Sequence, residues 1–146
     1  MKTCFFIGHR DAPSDIFSAL AEAVERHILL GVTEFTVGGY GSFDRMASRA
    51  LSEAKAKHPE ITLTLLLPYH PAERPVSLPK DFDGSFYPPG MEKVPRRLAT
   101  LRANRYMVDH TDFLIAYARH PGSNAKKLAE YAQERDIRQL IRVTLL

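Results

Sequence analysis

The chain has 146 residues, 45% of them apolar and 25% charged, with a formal net charge of +3. That is the composition of one ordinary globular domain with enough length for a sizeable core. It excludes a transmembrane bundle, since no apolar run approaches the roughly 20 residues a membrane helix needs, and it excludes an internal disulfide, since Cys4 is alone. The mild basicity suits anionic ligands but is no nucleic-acid signature, because Trp is absent and the aromatics do not interleave with a basic stripe.

The opening "MKTCFFIGHRDAPSD" contains an apolar run far too short for a secretory leader and turns polar at once. Together with the lone cysteine, this makes a cytoplasmic location the expectation. Residues 3–7, "TCFFI", read as a short buried strand closed by Gly8, with Cys4 as core filler rather than a nucleophile. A helix follows: Pro13 suits its first turn, Ser14 or Asp11 is positioned to cap it, and Ile16, Leu20, Ala23, Val24 and Ile28 form one apolar stripe ending before Gly31. Residues 33–37, "TEFTV", give the second strand.

That strand runs into Gly38, Gly39, Tyr40, Gly41 and Ser42, and then into a helix burying Met46, Ala47, Ala50, Leu51 and Ala54. The helix ends in Lys55, Lys57 and His58 before Pro59, where the dipole favours cations. Strands are expected at 61–67, at 112–117 and near the end in "RQLIRVTLL", with helices at about 92–108 and 123–135. The order βαβα, loop, αβαβ implies a mostly parallel sheet of about five strands with helices on both faces, a three-layer α/β sandwich in a single domain over residues 1–146. Residues 68–95 hold seven prolines. Regular helix is disfavoured there, and a loop of this length, leaving the carboxyl end of the third strand, reads as a lid, a subunit-contact arm or irregular packing.

Open parallel sheets bind ligands beyond the carboxyl ends of their strands. Small and polar residues gather at that rim: Gly8, His9 and Arg10 after the first strand, the glycine turn after the second, Tyr69 and His70 after the third, and Gly122, Ser123 and Asn124 after the fourth. The glycine turn has two readings, a tight strand-to-helix bend or a seat for phosphate on backbone amides at a helix N-terminus. Ser42 is a candidate cap. Asp44, in the first turn, is either a dipole-stabilising carboxylate or an acceptor for a ribose hydroxyl. Arg10 either clamps a phosphate or is a solvated loop arginine, and Gly122, Ser123 and Asn124 either offer a ligand a second set of free helix-start amides or provide a simple Ser or Asn cap, which makes them ligand-binding candidates too. The pattern "GGYGSFD" is neither the dinucleotide fingerprint nor a Walker loop. His27, His58, His110 and His120 show no metal-ligand spacing, so neither a metal nor another cofactor is expected. Arg96 and Arg97 lie closest to the rim in the arginine-rich run 96–105; Arg105 is not expected to reach it.

"CFFIGHR", "GGYGSFDRMASRAL" and "NRYMVDHTDFLIAY" (104–117) resemble, in order, the SLOG superfamily and particularly its YpsA-like branch. The GG-x-G-x-x-D pattern is similar to that of the DNA-processing protein A family and the cytokinin-activating phosphoribohydrolases. The resemblance implies a Rossmann-like domain that binds a nucleotide or nucleotide-derived molecule at the glycine turn. The site residues it implies are Gly8, His9, Arg10, Gly38, Gly39, Gly41, Ser42, Asp44 and Asn104. This chain departs from the branch in Ala103, which separates Arg102 from Asn104, and in Gly122-Ser123-Asn124, where the branch often has Gly-Gly-Thr. The glutamate of the phosphoribohydrolase motif has no evident counterpart, leaving Asp44 as the candidate catalytic carboxylate. The leading expectation is therefore binding or sensing of an ADP-ribose-like or mononucleotide ligand; the alternatives are N-glycosidic cleavage of a nucleoside monophosphate and single-stranded nucleic-acid binding. A homodimer is compatible with so small a domain but is not revealed by composition.

Overall fold

The computed structural model describes residues 2–146. Strand β1 (Lys2–Gly8) leads through a 3-10 turn, Ser14–Ile16, into α1 (Phe17–Leu29), followed by β2 (Val32–Val37), α2 (Ser42–Lys57) and β3 (Thr62–Leu66). A short strand, β4 (Gly84–Phe86), precedes α3 (Ala99–His110), β5 (Phe113–Tyr117), α4 (Asn124–Ile137) and β6 (Arg142–Leu145). The strands form one sheet in the order β4-β3-β2-β1-β5-β6, every neighbouring pair parallel. The fold is thus a Rossmann-like α/β sandwich.

The alternation of β1 explains the layering. Cys4 and Phe6 point into a core shared with Leu20 and Val24 of α1 and with Ala47 and Leu51 of α2. Phe5 and Ile7 point the other way, toward Ala103 and Val108 of α3 and Leu128 and Ala132 of α4. Phe5, Phe6, Phe35 and Phe43 are fully buried, each contributing on the order of 1.5–3 kcal/mol by removal from water. Cys4 is buried, and desolvation pushes its thiol pKa up, out of reach of nucleophilic use.

Three expectations are corrected. The sheet has six strands, all parallel, because Gly84–Phe86, inside the proline-rich segment, pairs with β3. Helix α3 begins at Ala99 rather than near residue 92: Pro95 holds Val94 extended and lacks the amide a continuous helix requires, so the chain makes two 3-10 turns, Met91–Lys93 and Arg96–Leu98, before the helix proper. Neither Ser14 nor Asp11 caps the first helix. Among the described residues no helix is long and apolar enough to cross a membrane.

Between β1 and β5 the connections reverse direction across the sheet. One branch of the chain winds outward through β2, β3 and β4; the other returns through β5 to β6. Loops leaving opposite sides of that point diverge and open a crevice at the carboxyl edge.

Candidate functional site

A cleft of about 600 Å³ fills that crevice. Its floor is the carboxyl end of the sheet, with Gly8, His9 and Arg10 after β1, Gly38, Gly39 and Tyr40 after β2, and Leu66, Pro68 and Tyr69 at β3. One wall is the start of α3, with Arg96, Arg97, Thr100 and Asn104; the other is the start of α4, with Ser123, Asn124 and Ala125. Nine of the twelve ligand-binding candidates named from sequence therefore share one cleft, while Gly41, Ser42 and Gly122 stand outside its lining. Thr100, Leu101 and Leu128 were missed. A signal existed for the first two: Arg97, Thr100, Leu101 and Asn104 fall at helical spacing on one face.

The glycine turn is built differently from an open anion seat. The Ser42 amide donates to the Arg10 carbonyl at 2.8 Å and the Phe43 amide to the His9 carbonyl at 3.4 Å. The Ser42 hydroxyl donates to the Ala12 carbonyl at 2.7 Å. Ser42 is therefore not the cap of α2: the N-cap position is Gly41, without a side-chain bond. The first amides of α2 are spent fixing the β1–α1 loop, so they are not bared to a ligand. Gly41, at φ 93° and ψ −172°, adopts backbone geometry that is essentially restricted to glycine, and a Cβ there would lie 2.6 Å from the Arg10 Cα. Gly8 is needed for another reason: a Cβ would lie 2.1 Å from the buried Phe43 ring.

Asp44 folds back so that its carboxylate accepts the Tyr40 amide at 2.9 Å. It is the one carboxylate in the cleft lining. Burial pushes its pKa up to about 7, against the smaller opposing pulls of the Tyr40 amide and of Arg45. Near neutrality Asp44 is thus divided between its acid and its base form, the condition for acid–base work and for reversible hydrogen-bonding roles.

His9 is buried and structural in part. Its Nε2 accepts the amides of Arg119 at 2.8 Å and His120 at 3.2 Å, which fixes the neutral ring with the proton on Nδ1. Burial, then the neighbouring His120, pushes its pKa down. The ring stacks on His120 with centroids 4.0 Å apart and meets Tyr117 edge-on. His9 therefore ties the exit of β1 to the exit of β5 and holds the cleft's floor together.

Positive charge also lines the cleft. Arg10 rests over the Tyr40 ring, 4.4 Å from its centroid; neither Arg10 nor Arg97 has an ion-pair partner among the described residues. Arg96 pairs with Glu73 of the proline-rich segment, and its carbonyl accepts from the Tyr69 hydroxyl. Ser123 caps α4, its hydroxyl accepting the Lys126 amide at 3.1 Å. The amides of Asn124 and Ala125, on the cleft wall, have no intrahelical acceptor. Among the described residues no group of three or more His, Cys, Asp or Glu side chains is arranged to hold a metal ion.

No protein-family model matches the chain, and no curated protein matches it. The functional reading rests on the cleft.

Proposed function

We propose that the cleft binds a nucleotide or nucleotide-derived molecule. The observation that carries this reading is the distribution of charge in a single crevice at the reversal point of the sheet. Arg10 and Arg97, without ion-pair partners among the described residues, and the start of α4 supply positive potential, and Asp44 supplies one acceptor in the same lining. A phosphate is neutralised by the arginines, which present planar forks of donors. A ribose hydroxyl donates to Asp44. The half-buried Tyr69, with the Arg74 guanidinium over its ring at 4.1 Å, is the aromatic surface available to a base. The YpsA-like resemblance implies the same ligand class.

Calorimetry and thermal melting with AMP and ADP-ribose test it, with adenosine and inorganic phosphate as controls. A ligand at a hundred times its Kd stabilises by about 2.7 kcal/mol, which for a chain of this size raises Tm by roughly 5–10 °C. Arg97→Ala is expected to weaken every phosphorylated ligand and leave adenosine untouched. An unmoved Tm with all of these nucleotides refutes the reading.

A second reading, N-glycosidic hydrolysis of a nucleoside monophosphate, is favoured specifically by the raised pKa of Asp44. In that reaction the C1′–N bond breaks, a water oxygen bonds to C1′, and the water's proton passes by way of Asp44 to the departing base. Release of free adenine from AMP, abolished in Asp44→Asn, is the expected result. Absence of turnover at high enzyme concentration removes this reading while leaving binding intact.

A further inference from the structure

Beside the cleft lies a second cavity, a groove of about 570 Å³ between α3 and α4. The two are adjacent: Leu101, Asn124 and Leu128 line both. The remaining groove residues are Leu98, Arg102, Arg105, Asp109, Lys127 and Tyr131. Helical spacing explains the pairing of the two spaces. Over the 3-10 turn Arg96–Leu98 and α3, residues 97, 100, 101 and 104 line the cleft, while residues 98, 102, 105 and 109 form the adjacent stripe and line the groove. On α4, Asn124, Lys127, Leu128 and Tyr131 follow the same three-and-four spacing.

The groove's charges are unevenly used. Asp109 accepts from the Tyr131 hydroxyl and pairs with Arg105 at 3.8 Å and Arg135 at 3.7 Å, so its negative charge is spent within the protein. Arg102 and Lys127 are exposed and have no ion-pair partner among the described residues. The Arg105 guanidinium sits over the Tyr131 ring, 3.6 Å from its centroid. A guanidinium held on an aromatic ring is itself a platform on which a nucleobase stacks. The groove thus offers two free cations, a fixed stacking platform, and apolar flanks from Leu98 and Leu101.

We propose that the cleft and the groove are two halves of one site, and that its ligand is a pyrophosphate-linked dinucleotide. This rests on the nucleotide reading of the cleft and extends it. One nucleoside lies in the cleft. The pyrophosphate crosses the shared wall at Asn124, between Arg97 on one side and Arg102 and Lys127 on the other. The second base stacks against Arg105 over Tyr131. Cations on both sides of the junction are what distinguish this ligand from a mononucleotide, which has no use for Arg102 or Lys127.

The test is titration calorimetry of the full chain with AMP, with diadenosine diphosphate and with a short single-stranded oligonucleotide, repeated on the Arg102→Ala/Lys127→Ala double variant. Both substituted residues are exposed and belong to the groove alone, and an unchanged melting curve confirms that the variant folds. Diadenosine diphosphate is expected to bind at least about tenfold more tightly than AMP, the double variant to erase that margin, and AMP affinity to stay unchanged. If AMP binds and the dinucleotide is no tighter, or its margin survives in the variant, the two-part site is refuted and the cleft reading stands. An oligonucleotide that outbinds the dinucleotide refutes it in favour of nucleic acid. If neither nucleotide binds, this inference falls together with the reading beneath it.

Discussion

Replacing Asp44 by Asn separates the electrostatics of the cleft from its shape. The amide keeps an oxygen to accept the Tyr40 N–H and nearly the same volume, but it cannot ionise. In the folded protein Asp44 titrates at about 7, against 3.8 for an ordinary aspartate. Between those values the folded state holds a proton that the unfolded chain has released, so stability falls as pH rises through this window and is flat on either side. The full span corresponds to about 4 kcal/mol at 1.36 kcal/mol per pH unit, and partial access of water to a half-buried group reduces this to about 2–4 kcal/mol. Asp44→Asn lacks the penalty. It should match the wild type near pH 4 and exceed its stability by about 2–4 kcal/mol above about pH 8. Urea unfolding of both proteins at several pH values measures this directly. Asp83 titrates in the opposite sense, its pKa lowered by Lys55 and the Leu63 amide, so it stabilises above the ordinary carboxylate range and loses that contribution on acidification. It is common to both proteins and cancels in the difference. A difference that stays constant with pH refutes the raised pKa and removes the acid–base argument for Asp44.

The floor of the cleft makes three further claims testable by denaturation. Gly41→Ala combines glycine-restricted backbone angles with a 2.6 Å approach to the Arg10 Cα, and should cost about 2–4 kcal/mol, where a loss under about 0.5 would contradict it. Gly8→Ala drives a methyl to 2.1 Å from the Phe43 ring; a loss of about 3 kcal/mol is expected, and the Gly8→Ala/Phe43→Leu pair should cost clearly less than the sum of its parts, additivity being the contrary result. His9→Phe fills the space but orphans the Arg119 and His120 amides. It should destabilise by about 2–4 kcal/mol, with His9→Gln recovering part of that through its side-chain oxygen, and equal losses in the two variants would show that the acceptor is not what matters.

Much of the fold is legible because burial on both faces writes strands as unbroken apolar runs. "CFFI" and "FLIAY" lie at the centre of the sheet, paired with each other, and a sequence reading finds them at once. Strand β4 has no such mark. "GSF" is an edge segment whose place is fixed by register against Thr64, Leu65 and Leu66, and by the Leu67 amide reaching the Phe86 carbonyl. These are contacts made about 20 residues away, which no local pattern records. The start of α3 is set by Pro95, which breaks any helix begun near residue 92 into two 3-10 turns. The rim residues were legible from topology alone, since a parallel sheet must collect its strand exits at one edge. The state of their hydrogen bonds was not. Whether the Ser42 hydroxyl turns to its own helix or to the Ala12 carbonyl depends on where the first loop folds, thirty residues upstream.

That last choice decides how the cleft is polarised. Had the amides at the start of α2 been free, positive potential would sit beside Asp44, lowering its pKa and centring an anion on the glycine turn. Because the Arg10 and His9 carbonyls take the Ser42 and Phe43 amides, the local dipole is answered within the protein, and Asp44 lies in a desolvated pocket where its charge is disfavoured. The donors still directed at the cleft are carried by Arg10, Arg97 and the start of α4. On the proposed reading, a ligand's phosphate goes to Arg10, Arg97 and the α4 start and its hydroxyl-bearing end to Asp44. Asn124, on the α4 wall, lines both the cleft and the groove between α3 and α4.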